Sequence, residues 1–212
     1  MGAKLMALLS RTLCRGALVC VLLTVANGAV AAAIDMEKAA LIKSVYLKNI
    51  AGHTTWPTDK VSDDQRPIVI GVLGGDPNGV ISPMRERIEE DPRFLVEGRQ
   101  LQLINLDASS IDPDGLATVL EGCHLLFLSE DGEGYWALIK PLIETMPIVT
   151  VSEYESFARQ GGMIEYIIDR RAGKVRMIVN MVAVKRAGLV LSARLLGLKE
   201  AVILINDGED AE

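Results

Sequence analysis

Cys123 and His124 are adjacent, and they are the pair of side chains in this sequence that could form a nucleophile with its base. A catalytic dyad needs the imidazole within hydrogen-bond reach of the thiol, so that it can accept the proton. Residues 124–129 are predicted to form a strand, in which neighbouring side chains point to opposite faces. The sequence therefore favours a buried structural cysteine and a hydrogen-bonded histidine, and it predicts no enzymatic activity.

Metal binding is disfavoured for a similar reason. A zinc site needs several convergent ligands at motif spacing, whereas the chain has 2 His and 3 Cys. Cys14 and Cys20 lie in the apolar N-terminal segment, which leaves Cys123 without a partner for a disulfide within the rest of the chain. No metal, cofactor or intrachain disulfide is predicted.

A glycine-rich segment, residues 74–79, follows the first predicted strand. Glycines there can let backbone N–H groups reach an anion at a helix N-terminus. The segment lacks the Lys-Ser/Thr of a phosphate loop and the spacing of a dinucleotide motif, so a plain turn with an Asx-type cap is favoured. Ligands of α/β sheets bind beyond the carboxyl ends of the strands. The ligand-crevice candidates there are Gly74, Asp76, Ser129 and Ser152.

Three aromatic residues are candidates for partner binding. Tyr135 and Trp136 follow an acidic, glycine-containing loop and are expected to be partly exposed, either as interface anchors or as core residues. Trp56 is expected to anchor the end of the first helix in the core, with partner binding as the alternative.

Three further residues are assigned structural roles. Gly161 and Gly162 are expected to supply backbone conformations open only to glycine, ahead of a hairpin. Asn180 stands between a predicted strand and a helix, and is expected to cap the helix or to tie two backbone segments together.

The elements that must position these residues alternate between strand and helix. A helix over 36–53, with an apolar stripe of Leu41, Ile42, Val45, Tyr46 and Ile50 and with Lys43 off that stripe, precedes strands at 67–74, 101–106, 124–129 and 147–151. Helices at 84–90, 113–120 and 135–144 separate these strands, and an antiparallel hairpin follows between 161 and 181. The pattern predicts an α/β three-layer sandwich, with a mixed, mostly parallel sheet and helices on both faces.

Charge and the N-terminal segment limit the function classes. The net charge is −6, which gives no basic surface for nucleic acid. Lys4, Arg11 and Arg15 precede an apolar run and then small residues, the three zones of a secretory signal. We expect cleavage near Ala31 or Ala33, with an uncleaved anchor as the alternative. The predicted organisation is a signal peptide at 1–33, a single domain at 34–206 and an acidic disordered tail at 207–212, located in the periplasm without a membrane span after cleavage.

Several segments together resemble the YfiR-like family of small periplasmic proteins. They are Tyr46–Ala51 with Thr55-Trp56-Pro57, Ile68–Gly74, Pro147–Glu153 with Phe157-Ala158, Gly161–Ile164, and Val179-Asn180-Met181 with Gly188–Ser192 and Leu195-Leu196. The segments occur in the family's order over nearly the whole predicted domain. Two departures are Gly52-His53-Thr54 in place of bulky apolar residues, and the lack of paired cysteines for redox control.

The resemblance implies a non-enzymatic regulatory protein. Its best-understood members are dimeric repressors that bind the periplasmic domain of an inner-membrane diguanylate cyclase, an enzyme that makes cyclic di-GMP. By this resemblance, the expected partner is such a domain of a diguanylate cyclase or histidine kinase, and a homodimer is possible. The alternatives are a single-domain periplasmic protein that binds or senses a small solute and, at the margin, a hydrolase.

Overall fold

The computed structural model describes residues 36–57, 60, 66–106, 113–169 and 172–206. The expected signal peptide and the expected acidic tail lie outside these residues. The described residues from Ala39 onwards belong to one compact unit, and of the other unit the structure describes residues 36–38. Within the described ranges, no helix has the length and apolar character needed to cross a membrane.

Strands and helices alternate along most of the chain. In chain order the elements are α1 (residues 36–52), β1 (Thr54–Thr55), β2 (Ile68–Leu73), α2 (Ser82–Glu90), β3 (Leu95–Val96), β4 (Arg99–Leu106), α3 (Pro113–Glu121), β5 (Leu125–Leu128), a 3-10 helix (Glu130–Tyr135), α4 (Trp136–Ile143), β6 (Val149–Ser152), β7 (Ile164–Asp169), β8 (Lys174–Asn180), α5 (Met181–Arg186), β9 (Val190–Leu191), α6 (Ala193–Leu196) and β10 (Val202–Ile205).

Eight of the strands form one mixed sheet, in the order β10-β8-β7-β6-β5-β2-β4-β3. Adjacent strands in this sheet are parallel, except for the β7–β8 and β3–β4 pairs, which are antiparallel. The β7–β8 pair is the predicted hairpin. The predicted α/β class, with a mostly parallel sheet and a C-terminal antiparallel hairpin, is confirmed.

Two apolar clusters cover the two faces of the sheet. One contains Leu47 of α1 and Met84 of α2, together with buried residues of α5 and α6. The other contains Leu116 of α3 and Ile139 of α4. Alternate residues of β5 point into different clusters, with Phe127 in the first, as expected for a strand buried on both faces.

The buried face of helix α1 matches the predicted stripe only in part, since Ile50 is fully buried and Tyr46 packs against the first cluster. Leu41 and Val45, expected in the buried stripe, are 54% and 53% exposed. Lys43, expected off the stripe, is buried. The helix is rotated relative to the prediction because a carboxylate of the loop after β6 pairs with Lys43, which allows a charged side chain to face the sheet.

Four short strands were not predicted from the sequence. β10 extends the sheet beyond β8, β3 extends it beyond β4, and β1 pairs with β9 in a separate two-stranded sheet through Thr54 and Leu191. Each is only two to four residues long, too short for an alternating pattern to distinguish it from a turn or a helix end.

The strand order reverses at β2. Chain connections run from β2 to β4 on one side and then return to β5 on the other side. In an open α/β sheet, the loops that follow two such strands diverge and leave a crevice where ligands commonly bind. The ends of β2, β5 and β6 are therefore the first place to examine for a site.

Candidate functional site

The crevice beyond β5 and β6 is occupied by the protein's own serines. Ser129 and Ser152 are both fully buried. The Ser129 hydroxyl donates to the Leu73 carbonyl over 3.4 Å, and the Ser152 hydroxyl donates to the Leu128 carbonyl over 2.8 Å. These hydroxyls tie neighbouring strand ends together, so they are not directed at a ligand.

The 3-10 helix after β5 closes this end of the sheet. The Gly132 N–H donates to the Ser129 carbonyl over 2.9 Å, and a Cβ atom added at Gly132 would lie 2.6 Å from the Leu73 carbonyl oxygen. Gly74, with a φ of +92°, lies so close that a Cβ there would be 2.3 Å from the Ser129 Oγ. The backbone packs here without room for even an added methyl group.

Asp76 is engaged by the start of the α2 segment. Its Oδ1 accepts the N–H groups of Val80 and Ile81 over 2.7 and 3.0 Å, and its Oδ2 accepts the N–H and hydroxyl of Ser82. The predicted turn with an Asx-type cap is confirmed. An anion at this helix N-terminus would have to displace a carboxylate that is already hydrogen-bonded there.

Cys123 and His124 belong to opposite faces of the sheet, as predicted. The Cys123 thiol is buried in the cluster of α3 and α4 and lies 3.6 Å from the Val119 carbonyl oxygen. The His124 ring packs edge-on against Trp56, which belongs to the other cluster. Burial raises the pKa of the Cys123 thiol to about 11, so the sulfur is held as the unreactive thiol.

The His124 imidazole is held neutral. Its Nδ1 lies 3.2 Å from the Val69 amide nitrogen, and its Nε2 lies 3.4 Å from an Arg99 guanidinium nitrogen. Burial, followed by the charges of Arg99, Lys60 and Arg66, lowers the pKa of His124 to about 4. Because the proton would join a group already surrounded by cations, His124 serves as a structural acceptor near pH 7. Among the described residues, no group of His, Cys, Asp and Glu side chains could hold a metal ion.

A buried polar cluster under α1 was missed by the sequence analysis. The Lys43 ammonium lies 2.5 Å from the Glu153 carboxylate. The Tyr166 hydroxyl donates to the Lys43 carbonyl over 3.2 Å, and burial, together with Glu153 and Tyr46, raises the pKa of Tyr166 well above its usual value. The sequence does contain a feature of this cluster, a lysine and a serine at consecutive positions inside an apolar helix pattern. That feature predicts a buried charge only once the partner carboxylate is known.

A second buried carboxylate organises the segment between β6 and β7. Glu165 accepts the N–H groups of Ser156 and Ala158 over 3.0 and 3.1 Å. Asn180 accepts two N–H groups at the start of α5 and donates to the Ala158 carbonyl over 2.8 Å. Asn180 therefore fills both of its predicted roles, as a cap and as a tie.

The two glycines before the hairpin differ in their requirements. Gly161 has a φ of +98°, which confirms the predicted glycine conformation. Gly162 lacks a positive φ, but a Cβ added there would lie 2.3 Å from the Phe157 ring. Close packing, not conformational freedom, is thus what this second position requires.

The aromatic partner-binding candidates are largely inside the protein. Trp136 is 6% exposed and packs edge-on against Phe157, which agrees with the core alternative and not with partial exposure. Trp56 is also 6% exposed and donates its indole N–H to the His124 carbonyl over 3.2 Å, in agreement with its expected core role. Tyr135 is half-buried. A docking role for these three residues is untested and stays a prediction.

Comparison with known proteins places the chain in a family. The sequence profile of the YfiR/HmsC-like family matches residues 40–199, nearly all of the compact unit. The chain belongs to the YfiR/HmsC-like family. This confirms the resemblance inferred from the sequence, and the YfiR/HmsC-like family is regulatory and non-catalytic.

Solved structures add only distant likenesses. An ABC domain in complex with L-Trp from Streptococcus pneumonia is 8% identical, covering 69% of this chain and 58% of its own, with a TM-score of 0.46. A conserved domain protein from Vibrio cholerae O1 biovar eltor is 11% identical, covering 71% of this chain and 57% of its own, with a TM-score of 0.43. The YfiR/HmsC-like chain thus spans less than three fifths of either structure. No curated protein is similar to it at a significant level.

Proposed function

We propose that this chain is a periplasmic regulatory protein that represses a membrane signalling protein by binding its periplasmic domain. The proposed partner is an inner-membrane diguanylate cyclase or histidine kinase with a periplasmic domain. The observation that carries the proposal is the family match over residues 40–199. The proposed periplasmic location rests on the signal-like zones at the N-terminus of the sequence.

The geometry of the sheet supports binding over catalysis. Cys123 and His124 face opposite sides, and the pKa of each is shifted so that its uncharged form is favoured. A thiol with a raised pKa is a poor nucleophile, and an imidazole with a pKa of about 4 is a weak base near neutral pH. This arrangement gives the hydrolase alternative no support.

The solute-binding alternative is weakened by the packing at the strand ends. Ser129, Ser152 and Asp76 all direct their polar atoms at the protein's own backbone. A solute site needs convergent polar groups around an open cavity, whereas Gly74 and Gly132 bring the backbone into contact here. We therefore place recognition on an outer surface of the domain.

A cellular experiment tests the proposal. In a strain lacking the gene, cyclic di-GMP should rise, and it should return to the wild-type level when the full chain is restored. A chain without residues 1–33, which should stay in the cytoplasm, serves as the control and should fail to restore it. The proposal would be overturned if the strain lacking the gene showed no change in cyclic di-GMP and no change in the activity of a histidine kinase encoded by a neighbouring gene.

Stoichiometry separates repression by binding from repression by catalysis. Titrating the purified protein into membranes that contain the signalling partner should reduce its activity in proportion, with saturation near one chain per partner subunit. Inhibition by a small substoichiometric fraction would indicate turnover and contradict a binding role.

A further inference from the structure

Strand β10 is the first strand in the order of the eight-stranded sheet, so it forms one of the two edges. Its residues, Val202–Ile205, are all apolar and include no charged residue or proline. Proteins usually protect a sheet edge with charge, proline, a bulge or a very short strand, because an open edge pairs readily with another strand. The opposite edge has such protection, since β3 is only two residues long. β10 is therefore the edge that is able to accept a further strand.

The hydrogen bonds to β8 determine which backbone groups of β10 point outwards. The Met177 N–H donates to the Ala201 carbonyl over 2.6 Å, and Val202 is paired with Met177 in a parallel register. In a parallel ladder, every second residue of a strand bonds to the same neighbour. The N–H and carbonyl of Ile203 therefore face β8, whereas those of Val202 and Leu204 face away from it.

Most of these outward groups have no hydrogen-bond partner in the part of the chain that the structure describes. The Val202 N–H is the exception, since it donates to the Leu198 carbonyl over 2.8 Å. The Val202 carbonyl and both backbone groups of Leu204 are left over. The side chains of Leu198 and Leu204 are 45% and 44% exposed, so this edge is open to solvent. A strand that pairs here must supply N–H and carbonyl groups to these positions.

The sequence of β10 is complementary to itself. Residues 203–205 read Ile-Leu-Ile, which is the same in both directions. In an antiparallel pair of two copies with a two-fold axis at Leu204, this residue lies opposite the same residue of the second copy. The two Leu204 residues can then exchange both of their backbone hydrogen bonds, and each Val202 carbonyl can accept the N–H of Asn206. This register gives a partner to every outward group that lacks one.

The same register also matches the side chains. Leu204 lies on the side of the sheet to which Val202 points, so two exposed leucines cover each other there. On the other side, the half-buried Ile203 of each copy lies opposite Ile205 of the other. Because β10 contains no charged residue, its pairing with itself brings no like charges together within the strand.

We propose that two copies of this chain associate through β10, in an antiparallel pair about Leu204 that joins their sheets into one continuous sheet. The inference goes beyond the proposed repressor function and does not depend on it. The self-complementary register selects a second copy as the occupant, in preference to a strand of another protein. A contact through one short strand is small, so the dimer should be weak and should form with rising protein concentration.

A charge exchange at Leu204 tests the two-fold pairing. Leu204→Lys and Leu204→Glu each place like charges opposite one another, so each purified variant should dimerise at least about tenfold more weakly than the wild type in analytical ultracentrifugation. An equimolar mixture of the two variants should associate at least about tenfold more tightly than either alone, because Lys then lies opposite Glu. Recovery in the mixture also shows that both variants are folded. Leu138→Lys is the matched control, since Leu138 is an exposed leucine of α4, and it should leave the dimer unchanged.

Amide hydrogen exchange tests the pairing of the backbone. The Leu204 N–H should exchange at least about tenfold more slowly at a concentration where the dimer forms than in dilute solution. The Ile203 N–H, which faces β8, should be protected at both concentrations. Protection of the Leu204 N–H at both concentrations would mean that another part of the same chain covers the edge, and it would overturn the proposal.

Three further results would contradict the inference. One is a wild-type protein that stays monomeric up to about 1 mM, and another is a mixture that associates no better than the separate variants. The third is a dimer that is disrupted by Leu41→Lys but not by Leu204→Lys, because this would place the interface on the exposed side of α1. A monomeric wild-type protein that still represses cyclic di-GMP would leave the proposed function standing, so the two failures are distinguishable.

Discussion

The Lys43 ammonium and the Glu153 carboxylate form an ion pair of 2.5 Å, with side chains only 5% and 3% exposed. The pair joins helix α1 to the segment that follows β6. One carboxylate oxygen, Glu153 Oε2, has no hydrogen-bond partner among the described residues. Since both charges have left water, each depends on the other for most of its compensation.

Removing one member of this pair should destabilise the protein strongly. Lys43→Met leaves the Glu153 charge buried and uncompensated, and we expect a loss of about 3–5 kcal/mol in the free energy of unfolding. The double variant Lys43→Met/Glu153→Leu should recover much of that loss, because no charge is left buried. Urea denaturation measures both effects. Lys199→Met, at an exposed position, is the control and should change stability by less than about 0.5 kcal/mol. A small loss for Lys43→Met would show that water reaches the pair.

Acid should weaken the protein through His124. The pKa of this imidazole falls from about 6.5 to about 4 on folding, so between these values the unfolded chain binds a proton that the folded chain does not. The stabilising contribution of the neutral His124 is therefore present above pH 6.5 and is lost as the pH drops towards 4. We expect the free energy of unfolding to fall by about 1–2 kcal/mol between pH 7 and pH 5. Urea denaturation at both pH values measures the decline.

The variant His124→Asn isolates this contribution. Its side-chain oxygen can still accept the Val69 N–H, but it does not titrate. We expect a smaller decline in stability between pH 7 and pH 5 than in the wild type. An equal decline in the two proteins would assign the pH dependence to other groups.

Two glycines of the 3-10 helix should respond in opposite ways to substitution. Gly132→Ala places a methyl group 2.6 Å from the Leu73 carbonyl oxygen, and we expect it to cost about 2–3 kcal/mol of stability through overpacking. Gly134→Ala meets no atom within 4 Å and should be neutral or slightly stabilising. Thermal denaturation of the two variants compares them. Equal melting temperatures would mean that the 3-10 helix can move away from the strand ends.

Cys123 should resist thiol reagents while the protein is folded. Burial raises its pKa to about 11, so at pH 8 the thiolate fraction is about 100-fold below that of an ordinary cysteine. In protein without residues 1–33, where Cys123 is the remaining cysteine, labelling should be slow in buffer and fast in urea. Fast labelling in buffer would indicate local opening around α3. Thermal unfolding with and without reductant should coincide, because this form has no second thiol in the chain.

The sequence was sufficient for those parts of the fold that rest on local patterns. The strand through Ile70 and the antiparallel hairpin of β7 and β8 were predicted correctly, because β-branched runs and turn residues act within a few positions. The opposite faces of Cys123 and His124 followed from the period of a strand. Helix α1 was placed correctly, but its buried face was predicted only in part. Lys43 is buried because it pairs with Glu153, which lies more than a hundred residues away along the chain.

Which side chains are exposed could not be predicted from local sequence patterns either, because exposure also depends on contacts between residues far apart in the chain. The exposure of Trp136 depended on where Phe157 would pack. The edge of the sheet beyond β8 depended on a strand, β10, that the sequence pattern did not reveal.

The pairing of β1 with β9 has a consequence for how the protein folds. Thr54 follows the first helix, and its partner Leu191 comes after nearly all of the other strands have been synthesised. Closing a loop of that length is entropically costly and slow. A nascent chain cannot form this pair until residues 190 and 191 are available, so the end of α1 is secured late. Folding of the domain is therefore expected to be a single cooperative event that involves both ends of the compact unit, not a progression from its N-terminal side.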